Sequence, residues 1–413
     1  MNITIEPATL HGAIPAVASK SMAHRLLILC GLAQSSTQLE CSTTSKDIEA
    51  TQRCLEEIAS GRDSLVLDCG ESGSTLRFLL PVVGALGRSA VFVRRGRLAQ
   101  RPLAPLDEQL WAHGMHLSED GDDLVVSGQL RGGTFSLPGD VSSQYVSGLL
   151  MAAPLLPDPM EVFVSTPVQS RPYVDLTIEA LAQFGVHVVV GRVGMGASTC
   201  ERFALNPCAL CGPKTIVVEG DWSNAAFWLA AGALEPEGIT VVGLDLMSPQ
   251  GDRAILAALA SFGARIARKG NAARATRDHP RPSSMDVSAI PDLVPPLAAV
   301  AATTPGTSKL RNAGRLRLKE SDRLSSVSAA VNALGGKASV IEDDLHIEGV
   351  EHLEAGTVDA ANDHRIAMMA AIMATHAKGP VTIQGAECVA KSYPGFWDDY
   401  RLLGGSIKTQ GVK

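Results

Sequence analysis

The sequence Ser19-Lys20-Ser21-Met22-Ala23-His24-Arg25 leads directly into an apolar run from Leu26 to Ala33. The run predicts a buried helix, and the polar residues before it form the start of that helix. Free backbone N–H groups and the helix dipole favour an anion at such a start. Lys20 and Arg25 strengthen this preference. The stretch therefore predicts a helix whose N-terminus binds a negatively charged group.

The same pattern, a short polar segment before an apolar run, returns five more times. The polar segments are 71–77, 142–145, 221–224, 290–292 and 362–365. Successive copies lie roughly 50 to 80 residues apart, which exceeds the common solenoid periods. Several copies are followed by a second helical pattern that ends near glycine, at 181–185, 259–263 and 331–335, and glycine there is a helix stop. The pattern predicts six related α/β units, three in each half, and hence two similar domains with pseudo-threefold symmetry.

The size and composition of the chain fit this organisation. A chain of 413 residues is too long for one ordinary core, so two domains are expected. Aromatic residues make up only 4% of the sequence, and the predicted helices are rich in Ala, Leu, Val and Gly. Because small residues let helices pack closely, a buried layer of helices is expected beside the sheets.

Charge and cysteine content exclude several classes of function. The net charge of −7 argues against a nucleic-acid partner, whose binding face is usually basic. No run reaches the ~18 apolar residues of a membrane span, so no membrane association is expected. The 8 cysteines have no framework spacing and no signal peptide precedes them, which predicts reduced thiols and a cytoplasmic protein.

Three other segments carry predictions about organisation. Residues 2–14 are predicted as one strand with a turn at Gly12, and 191–213 as a long hairpin loop. Glu219-Gly220 is the predicted crossing between the two halves. Cys208 and Cys211 form a CxxC pair in that loop, but a structural zinc site usually needs a second pair of ligands. No metal site is therefore predicted.

Two charged segments admit a purely structural interpretation. Residues 319–323 fit a capped helix end with local ion pairs, which are common and weak. Residues 362–365 fit a helix cap followed by a surface arginine. Taken singly, neither segment requires a catalytic role.

Taken together, the polar segments resemble the 5-enolpyruvylshikimate-3-phosphate synthases, the enolpyruvyl transferases of the shikimate pathway. The matching motifs follow the family order over nearly the whole chain, and the ordered set is far more specific than any one of them. They are Ser19-Lys20-Ser21 with Arg25, Gly73-Ser74 with Arg77, Gln100-Arg101-Pro102, Ser142-Ser143-Gln144, Ile290-Pro291-Asp292, Leu310-Arg311-Asn312, 319–324, Asn362-Asp363-His364-Arg365 and Lys391-Ser392-Tyr393-Pro394.

The resemblance implies an α/β fold of two similar domains, each built from three βαβαββ-type units as an inside-out α/β barrel. Residues 19–219 would form one domain and residues 1–18 with 220–413 the other, with the active site in the cleft between them. It implies transfer of the enolpyruvyl group of phosphoenolpyruvate to the 5-hydroxyl of shikimate 3-phosphate, with release of phosphate. No metal or organic cofactor is expected, and the protein is expected to act as a monomer.

The resemblance also implies which residues bind the two substrates, both of which carry phosphate and carboxylate groups that several fixed cations would recognise. The expected phosphoenolpyruvate contacts are Lys20, Gly73, Arg101, Gln144, Arg323, Arg365 and Lys391. The expected shikimate 3-phosphate contacts are Lys20, Ser21, Arg25, Ser142, Ser143, Gln144, Ser170, Asp292, Arg315 and Lys319. Some relatives have Asn in place of Arg315, and Asn312 is an alternative contact.

The reaction adds the hydroxyl to phosphoenolpyruvate and then eliminates phosphate, so it needs a base for the hydroxyl and an acid for the methylene carbon. Asp292 and Glu320 are the two carboxylates at matching positions. Asp292 is assigned as the base and Glu320 as the methylene acid/base, with Lys20 as a further catalytic candidate. The division of labour among the three is a hypothesis.

Two features depart from the family pattern. Val17-Ala18 stand where relatives usually have Pro-Gly, and Ala18 cannot adopt a positive φ as cheaply as glycine. Glu71 stands where many relatives have Asn.

Two other functions compete with this interpretation. A related transferase acts on a UDP-sugar, but it typically has Lys-Asn near the N-terminus, whereas this chain has Lys20-Ser21. An inactive anion-binding module of the same fold would not need both Asp292 and Glu320. Assays with each acceptor distinguish these alternatives.

Overall fold

The computed structural model describes residues 1–165, 168–195 and 198–410. The chain divides into two compact units. One comprises Ser19–Val218, and the other comprises Met1–Ala18 together with Glu219–Lys413. The chain therefore passes from one unit to the other after Ala18 and returns after Val218.

Helices alternate with short groups of strands along the described residues. In chain order, the helices are α1 (Lys20–Leu32), α2 (Lys46–Ala59), α3 (Gly73–Ala85), α4 (Leu106–Ala112), α5 (Ser143–Ala152), α6 (Arg171–Gln183), α7 (Trp222–Leu234), α8 (Ile255–Ser261), α9 (Val294–Ala302), α10 (Arg323–Ala333), α11 (His364–Ala374) and α12 (Phe396–Leu402). The strands are β1 (Asn2–Glu6), β2 (Gly12–Pro15), β3 (Gln38–Glu40), β4 (Ser64–Asp68), β5 (Ser89–Val93), β6 (Met115–Asp120), β7 (Asp123–Gly128), β8 (Gly133–Leu137), β9 (Met160–Val164), β10 (Val189–Met195), β11 (Ser198–Leu205), β12 (Thr215–Val217), β13 (Ile239–Val242), β14 (Arg265–Lys269), β15 (Ala272–Thr276), β16 (Ser284–Asp286), β17 (Gly306–Arg311), β18 (Lys337–Ile341), β19 (Asp344–Gly349), β20 (Gly356–Asp359), β21 (Val381–Gln384) and β22 (Ser406–Gln410).

Five of the sheets formed by these strands have four strands and one pairing scheme. Their orders are β4-β5-β7-β6, β8-β9-β11-β10, β2-β13-β15-β14, β16-β17-β19-β18 and β20-β21-β1-β22. In each sheet the first two strands are parallel and the other pairs are antiparallel. A parallel pair needs a crossover helix, and α3, α5, α9 and α11 are crossovers of this kind. The repeated βαβαββ-type unit that the family resemblance implies is therefore present.

The first of the six repeated units has fewer strands in its sheet than that scheme. In the described residues its sheet contains only β3 and β12, which run parallel. Strand β2 precedes α1 but pairs with β13, which follows α7, while β12 precedes α7 but pairs with β3, which follows α1. Strands β2 and β12, which lie next to the two crossing points, thus do not pair with the next strand of the chain. Each pairs with a strand of the compact unit to which it belongs.

The prediction of a single strand over residues 2–14 is wrong. The segment forms two strands in two different sheets: β1 lies between β21 and β22, and β2 lies beside β13. The first strand of the chain therefore completes the sheet formed by its last unit. A local pattern cannot reveal this, because the partners of Ile3 are Ile383 and Thr409.

The predicted hairpin loop at 191–213 is more regular than expected. Strands β10 and β11 pair from Val189 with Ala204 to Met195 with Ser198. Residues 196 and 197 lie outside the described residues.

The centre of the second unit is helical, as the composition predicts. Every residue of α7, α9 and α11 is buried, and these three helices pack against one another. Small residues allow this close approach. A Cβ added to Gly232 of α7 would lie 2.6 Å from the backbone nitrogen of Ile239 and 2.7 Å from the carbonyl oxygen of Ala275. Glycine is thus required where α7 meets its own sheet.

Each of the six polar segments begins a helix or a short helical turn. Side chains of Ser19, Ser72, Ser142, Asp221 and Asp363 cap α1, α3, α5, α7 and α11 by accepting a backbone N–H bond from the first turn. The fifth segment differs: it forms a short 3₁₀ helix, Pro291–Leu293, that leads directly into α9. A Ser or Asp cap satisfies N–H groups that the helix itself leaves open.

No helix of the described residues is long and apolar enough to cross a lipid bilayer.

Candidate active site

Charged side chains gather at helix starts in each of the two units. In the second unit the central group is Arg323, the first residue of α10, which is only 1% exposed. Its guanidinium donates from Nε to Asp363 (2.7 Å), from NH1 to Asp292 (2.8 Å) and from NH2 to Glu320 (2.6 Å). One buried arginine thus contacts three carboxylates.

Both carboxylate oxygens of Asp292 form ion pairs with cationic side chains. Oδ1 lies 2.8 Å from Arg323 NH1 and 3.3 Å from Lys319 Nζ, and Oδ2 lies 3.2 Å from Arg365 NH2. Its backbone oxygen also accepts from Arg365 NH1 at 3.3 Å. The side chain is 14% exposed. The structure therefore brings together Asp292, Glu320, Lys319, Arg323 and Arg365, all of which the sequence indicated.

The electrostatic balance of this cluster depends on burial and pairing. Burial acts to lower the pKa of Arg323, but Asp363, Glu320 and Asp292 outweigh it, so the pKa lies above its ordinary value. Burial lowers the pKa of Lys319; Asp292 opposes this shift and Arg323 adds to it. Arg323 is thus a permanent cation, whereas Lys319 releases a proton more readily than an exposed lysine.

Three other residues of this unit were indicated by the sequence: Lys391, Arg315 and Asn312. Lys391 is 8% exposed, and its Nζ donates to the backbone oxygen of Asn362 at 2.8 Å, just before α11. Arg315 lies half-buried in the short 3₁₀ helix Gly314–Leu318. Asn312, the alternative to Arg315, donates its amide to the Asp286 carboxylate at 2.6 Å.

In the first unit, the start of α1 carries Lys20. Its Nζ lies 3.0 Å from Oδ2 of Asp47 in α2, and both side chains are largely buried, at 15% and 16% exposed. Sequence reasoning did not assign Asp47 to the site. A carboxylate at this distance stabilises the lysine cation and fixes its position.

Gly73, the first residue of α3, lies against two arginines. A Cβ at this position would lie 2.5 Å from Arg101 NH1 and 2.7 Å from Arg77 NH1. Nε of Arg101 is buried and has no hydrogen-bond partner among the described residues. Glycine therefore leaves room for the Arg101 guanidinium group next to the start of α3. That group still has a donor that can bind a ligand.

Gln144 and Arg77 form the polar connection beside Gly73. Arg77 NH1 donates to Gln144 Oε1 at 3.1 Å, and Gln144 Nε2 donates to Ser74 Oγ at 3.0 Å. Arg77 NH2 and the Tyr145 hydroxyl both donate to the carbonyl of Pro102, at 2.9 Å and 2.6 Å. These bonds hold the loop that carries Arg101 next to the start of α3. Sequence reasoning identified Arg77 as a motif residue but gave it no role.

The serines indicated for this unit all lie at helix starts. Ser21 is in the first turn of α1, Ser142 caps α5 and Ser143 is its first residue. Ser170, which precedes α6, is 3% exposed and adopts φ 58°. A non-glycine residue in this left-handed region carries backbone strain, which is often found at functional positions.

Arg25 is more deeply buried than expected for a side chain that only contacts a ligand. It is 2% exposed, and it donates to Thr177 Oγ1 (2.7 Å), to Ser147 Oγ (3.3 Å) and to the Tyr173 carbonyl (2.7 Å). It also donates to the carbonyl of Ser21. Burial lowers the pKa of Arg25 to about 9, so the side chain remains a cation at neutral pH. These bonds join α1 to α5 and α6, so Arg25 has a clear structural role in addition to the contact predicted for it.

His24 begins a chain of hydrogen bonds inside the first unit. Its Nδ1 lies 2.7 Å from Thr51 Oγ1, which lies 2.7 Å from Thr75 Oγ1, and the Thr75 hydroxyl donates to Ser72 Oγ at 2.8 Å. Since Thr75 donates onward, Thr51 must donate to Thr75, and Nδ1 of His24 must carry the proton. Burial lowers the pKa of His24 well below its ordinary value, and Lys20 and Arg25 add to this. The neutral ring thus links α1 and α2 to the cap of α3.

Two carboxylates that sequence reasoning did not assign, Asp47 and Asp363, hold assigned cations. Asp47 lies 27 residues from Lys20, and Asp363 lies 40 residues from Arg323. Asp363 did carry a local signal, because the sequence around it fits a helix cap. Its pairing with Arg323 depends on the packing of α10 against α11, which no local pattern shows.

Among the described residues, no group of three or more His, Cys, Asp or Glu side chains is placed to hold a metal ion. Cys208 and Cys211 are exposed and unpaired by disulfide.

The two units offer different chemical groups. The first unit offers lysine, arginine, amide and hydroxyl donors at helix starts, which suit phosphate and carboxylate groups. The second offers cations together with two partly exposed carboxylates, Asp292 and Glu320, that can accept or donate protons. Anion binding and acid–base catalysis are thus both represented.

Comparison with known proteins agrees with this chemistry. Residues 5–400 match the family described as EPSP synthase (3-phosphoshikimate 1-carboxyvinyltransferase). The 3-phosphoshikimate 1-carboxyvinyltransferase of Clostridium kluyveri is 39% identical over 99% of both chains. That of Clostridium acetobutylicum is 37% identical over 98% of both chains.

Solved structures show the same fold. The EPSP synthase of Acinetobacter baumannii superposes with a TM-score of 0.76 at 23% identity, covering 99% of this chain and 100% of the other. The enolpyruvyl transferase NikO of Streptomyces tendae also gives a TM-score of 0.76, at 18% identity, covering 100% of this chain and 99% of the other. The predicted two-domain enolpyruvyl transferase fold is thereby confirmed. On its sequence match over nearly its full length, the chain belongs to the EPSP synthase (3-phosphoshikimate 1-carboxyvinyltransferase) family.

Proposed function

We propose that this protein transfers the enolpyruvyl group of phosphoenolpyruvate to the 5-hydroxyl of shikimate 3-phosphate and releases phosphate. The observation that carries the proposal is the cluster around Arg323, in which the candidate base Asp292 and the candidate acid Glu320 contact one buried arginine. The full-length match to 3-phosphoshikimate 1-carboxyvinyltransferases supports the choice of substrates.

We propose that residues of both units act on the same pair of substrates. Lys20, Gly73, Arg101 and Gln144 of the first unit and Arg323, Arg365 and Lys391 of the second would bind phosphoenolpyruvate. Ser21, Arg25, Ser142, Ser143 and Ser170 of the first unit and Asp292, Arg315 and Lys319 of the second would bind shikimate 3-phosphate, with Lys20 and Gln144 in contact with both molecules. Fixed arginines suit this task because a guanidinium matches phosphate and carboxylate geometry.

The first step would be addition. Asp292 would accept the proton of the 5-hydroxyl group while the hydroxyl oxygen bonds to C2 of phosphoenolpyruvate. Glu320 would protonate the methylene carbon. Lys319, Arg323 and Arg365 would stabilise the negative charge that Asp292 carries before it accepts the proton. In the second step Glu320 would take a proton back from the new methyl group as the bond between C2 and the phosphate oxygen breaks. The proton held by Asp292 would pass to the departing phosphate, which leaves as hydrogen phosphate, so both carboxylates return to their starting states.

Lys20 would assist this chemistry as a cation held by Asp47. Its distance of 3.0 Å to Asp47 keeps the ammonium group in place, and a fixed cation stabilises the charge that develops on the departing phosphate. The protein would need no metal or organic cofactor and would act as a monomer.

A coupled phosphate assay tests the function directly. Phosphate release is expected only when phosphoenolpyruvate and shikimate 3-phosphate are both present. Asp292→Ala and Glu320→Ala are each expected to lower kcat by about 10²- to 10⁴-fold, the usual contribution of a general acid or base. Near-normal turnover of both variants would contradict the assigned roles. Release with a UDP-sugar acceptor instead would indicate the related transferase.

A further inference from the structure

The buried carboxylate of Asp363 has no role in the proposed binding or acid–base steps. It is 0% exposed, and it faces one edge of the Arg323 guanidinium. Arg323 Nε donates to Oδ2 at 2.7 Å, and NH2 donates to Oδ1 at 3.3 Å. Two roughly parallel bonds of this kind fix an arginine in orientation as well as in position.

The same carboxylate also acts on two neighbouring groups. Oδ1 accepts the backbone N–H of Arg365 at 3.0 Å and so caps α11. Oδ2 accepts the hydroxyl of Ser321 at 3.0 Å. One side chain therefore sets the orientation of Arg323 and the start of the helix from which Arg365 projects.

The geometry of arginine makes this orientation matter. The five N–H groups of a guanidinium lie in one plane. When Asp363 occupies the Nε–NH2 edge, NH1 is directed to Asp292 and the remaining N–H of NH2 to Glu320. Without Asp363, the guanidinium plane could rotate, and the N–H groups of Arg323 would no longer be held in one direction.

We propose that Asp363 is a positioning residue that holds Arg323 and Arg365 in the arrangement that binds phosphoenolpyruvate. The proposal rests on the proposed function, because it concerns the same site. Asp363 does not touch substrate; it acts through the two arginines. Its loss raises the KM for phosphoenolpyruvate while leaving the KM for shikimate 3-phosphate nearly unchanged.

A helix cap is the structural alternative, and Asp363→Asn separates the two roles. Asparagine caps a helix about as well as aspartate does, so the bond to the Arg365 N–H is kept. The negative charge opposite Arg323 is lost. A residue that only caps α11 tolerates this change, whereas a positioning carboxylate does not.

The matched control is Asp322→Asn. Asp322 caps α10, the helix that begins with Arg323, and accepts from the backbone N–H of Ser325 at 3.3 Å. It is 38% exposed, and its cationic partner is Arg317 at 3.9 Å. The substitution is chemically identical and lies one residue from Arg323, but the carboxylate it changes belongs to the surface pair with Arg317 rather than to the buried cluster.

The experiment measures kcat, both KM values and the thermal midpoint Tm for the unmodified protein and the two variants. Asp363→Asn is expected to raise the KM for phosphoenolpyruvate about tenfold or more, since a charge-assisted bond is lost. The KM for shikimate 3-phosphate stays within about twofold, and Asp322→Asn leaves both KM values unchanged. An unchanged KM for phosphoenolpyruvate in Asp363→Asn overturns the proposal. Equal changes in both KM values together with a lower Tm also overturn it.

Ser321→Ala provides a milder test in case Asp363→Asn does not fold. It removes only the hydroxyl that donates to Oδ2 and leaves the carboxylate in place. A rise of about two- to fivefold in the KM for phosphoenolpyruvate is expected, in line with the loss of one hydrogen bond, and no change overturns the proposal. If the unmodified protein releases no phosphate with both substrates, the proposed function fails instead. If the unmodified protein is active and the variants have unchanged KM values, only the proposed role of Asp363 is contradicted.

Discussion

At the scale of single residues, Gly73 imposes the tightest steric constraint at the start of α3. We expect Gly73→Ala to displace Arg101, because the new Cβ would lie 2.5 Å from NH1 and 2.9 Å from Cζ of that side chain. Loss of one charge-assisted bond to phosphoenolpyruvate costs about 1.5 to 3 kcal/mol. The KM for phosphoenolpyruvate should therefore rise about ten- to a hundredfold, as measured by steady-state kinetics.

Gly395→Ala is the control for this substitution. Gly395 precedes α12, has φ −80° and would place a Cβ no closer than 4.0 Å to the side chain of Asp399. The same added methyl group at this helix start should leave both KM values unchanged. If Gly73→Ala left the KM for phosphoenolpyruvate at its original value, Arg101 would not be a contact of phosphoenolpyruvate.

The enclosure of Arg25 makes a prediction about stability. Thr177→Val removes the hydroxyl that accepts from Arg25 Nε at 2.7 Å and leaves a buried donor without that partner. The free energy of unfolding should fall by about 1 to 3 kcal/mol, as measured by urea denaturation. Thr303→Val is the comparison: Thr303 is also buried, but its hydroxyl donates to helix carbonyls of α9. A loss of stability no larger than in that variant would contradict the structural role of Arg25.

Residue types at the site were predictable from sequence, but their partners were not. Lys20, Arg323 and Arg365 stand out because a cation at a helix start is an unusual combination that recurs. In the sequence, Asp47 resembles an ordinary helix residue and Asp363 resembles an ordinary helix cap. Their importance comes from pairing across 27 and 40 residues, which depends on how neighbouring helices pack.

At the scale of elements, the turn that follows α11 contains a group that is sensitive to acid. Burial lowers the pKa of His376 to about 4, and Arg277 adds to the shift. The unfolded chain therefore binds a proton more readily than the folded one between about pH 6.5 and pH 4. Stability is present above this window and is lost as the pH falls through it. From pH 7 to pH 5 the expected loss is about 2 kcal/mol.

His376→Gln should reduce this pH dependence. The difference in unfolding free energy between pH 7 and pH 5 should shrink, although His24 contributes in the same direction. The exposed His116, changed to Gln, serves as the control and should leave the difference as it was. An unaltered pH dependence in His376→Gln would show that this histidine does not control acid stability.

The helices could be predicted from sequence far better than the sheets. Each polar-to-apolar boundary is local, and a helix or helical turn begins at all six. Strand pairing is not local. Nothing in residues 2–6 indicates that they lie beside β21. Nothing in the sequence near β2 and β12 indicates that β2 pairs with β13 and β12 with β3, rather than each with the next strand of the chain.

At the scale of the whole molecule, the proposal requires both compact units to act on one substrate. Arg101→Ala in the first unit and Arg365→Ala in the second should each raise the KM for phosphoenolpyruvate at least about tenfold. Their combined effect should depart from additivity, because residues that hold the same ligand are energetically coupled. A double-mutant cycle measures this coupling.

The controls for the cycle are Arg95→Ala and Arg401→Ala, one in each unit. Both side chains are exposed and pair with carboxylates, those of Asp68 and Asp398. Neither change should alter the KM for phosphoenolpyruvate. Strictly additive effects of Arg101→Ala and Arg365→Ala would indicate that the two arginines do not hold the same molecule.

The most direct measurement is identification of the products by NMR after incubation with phosphoenolpyruvate and shikimate 3-phosphate. We expect an enol ether on the 5-oxygen of shikimate 3-phosphate and one equivalent of inorganic phosphate for each ether formed. Formation of pyruvate and phosphate with unchanged shikimate 3-phosphate, or no reaction at all, would contradict enolpyruvyl transfer.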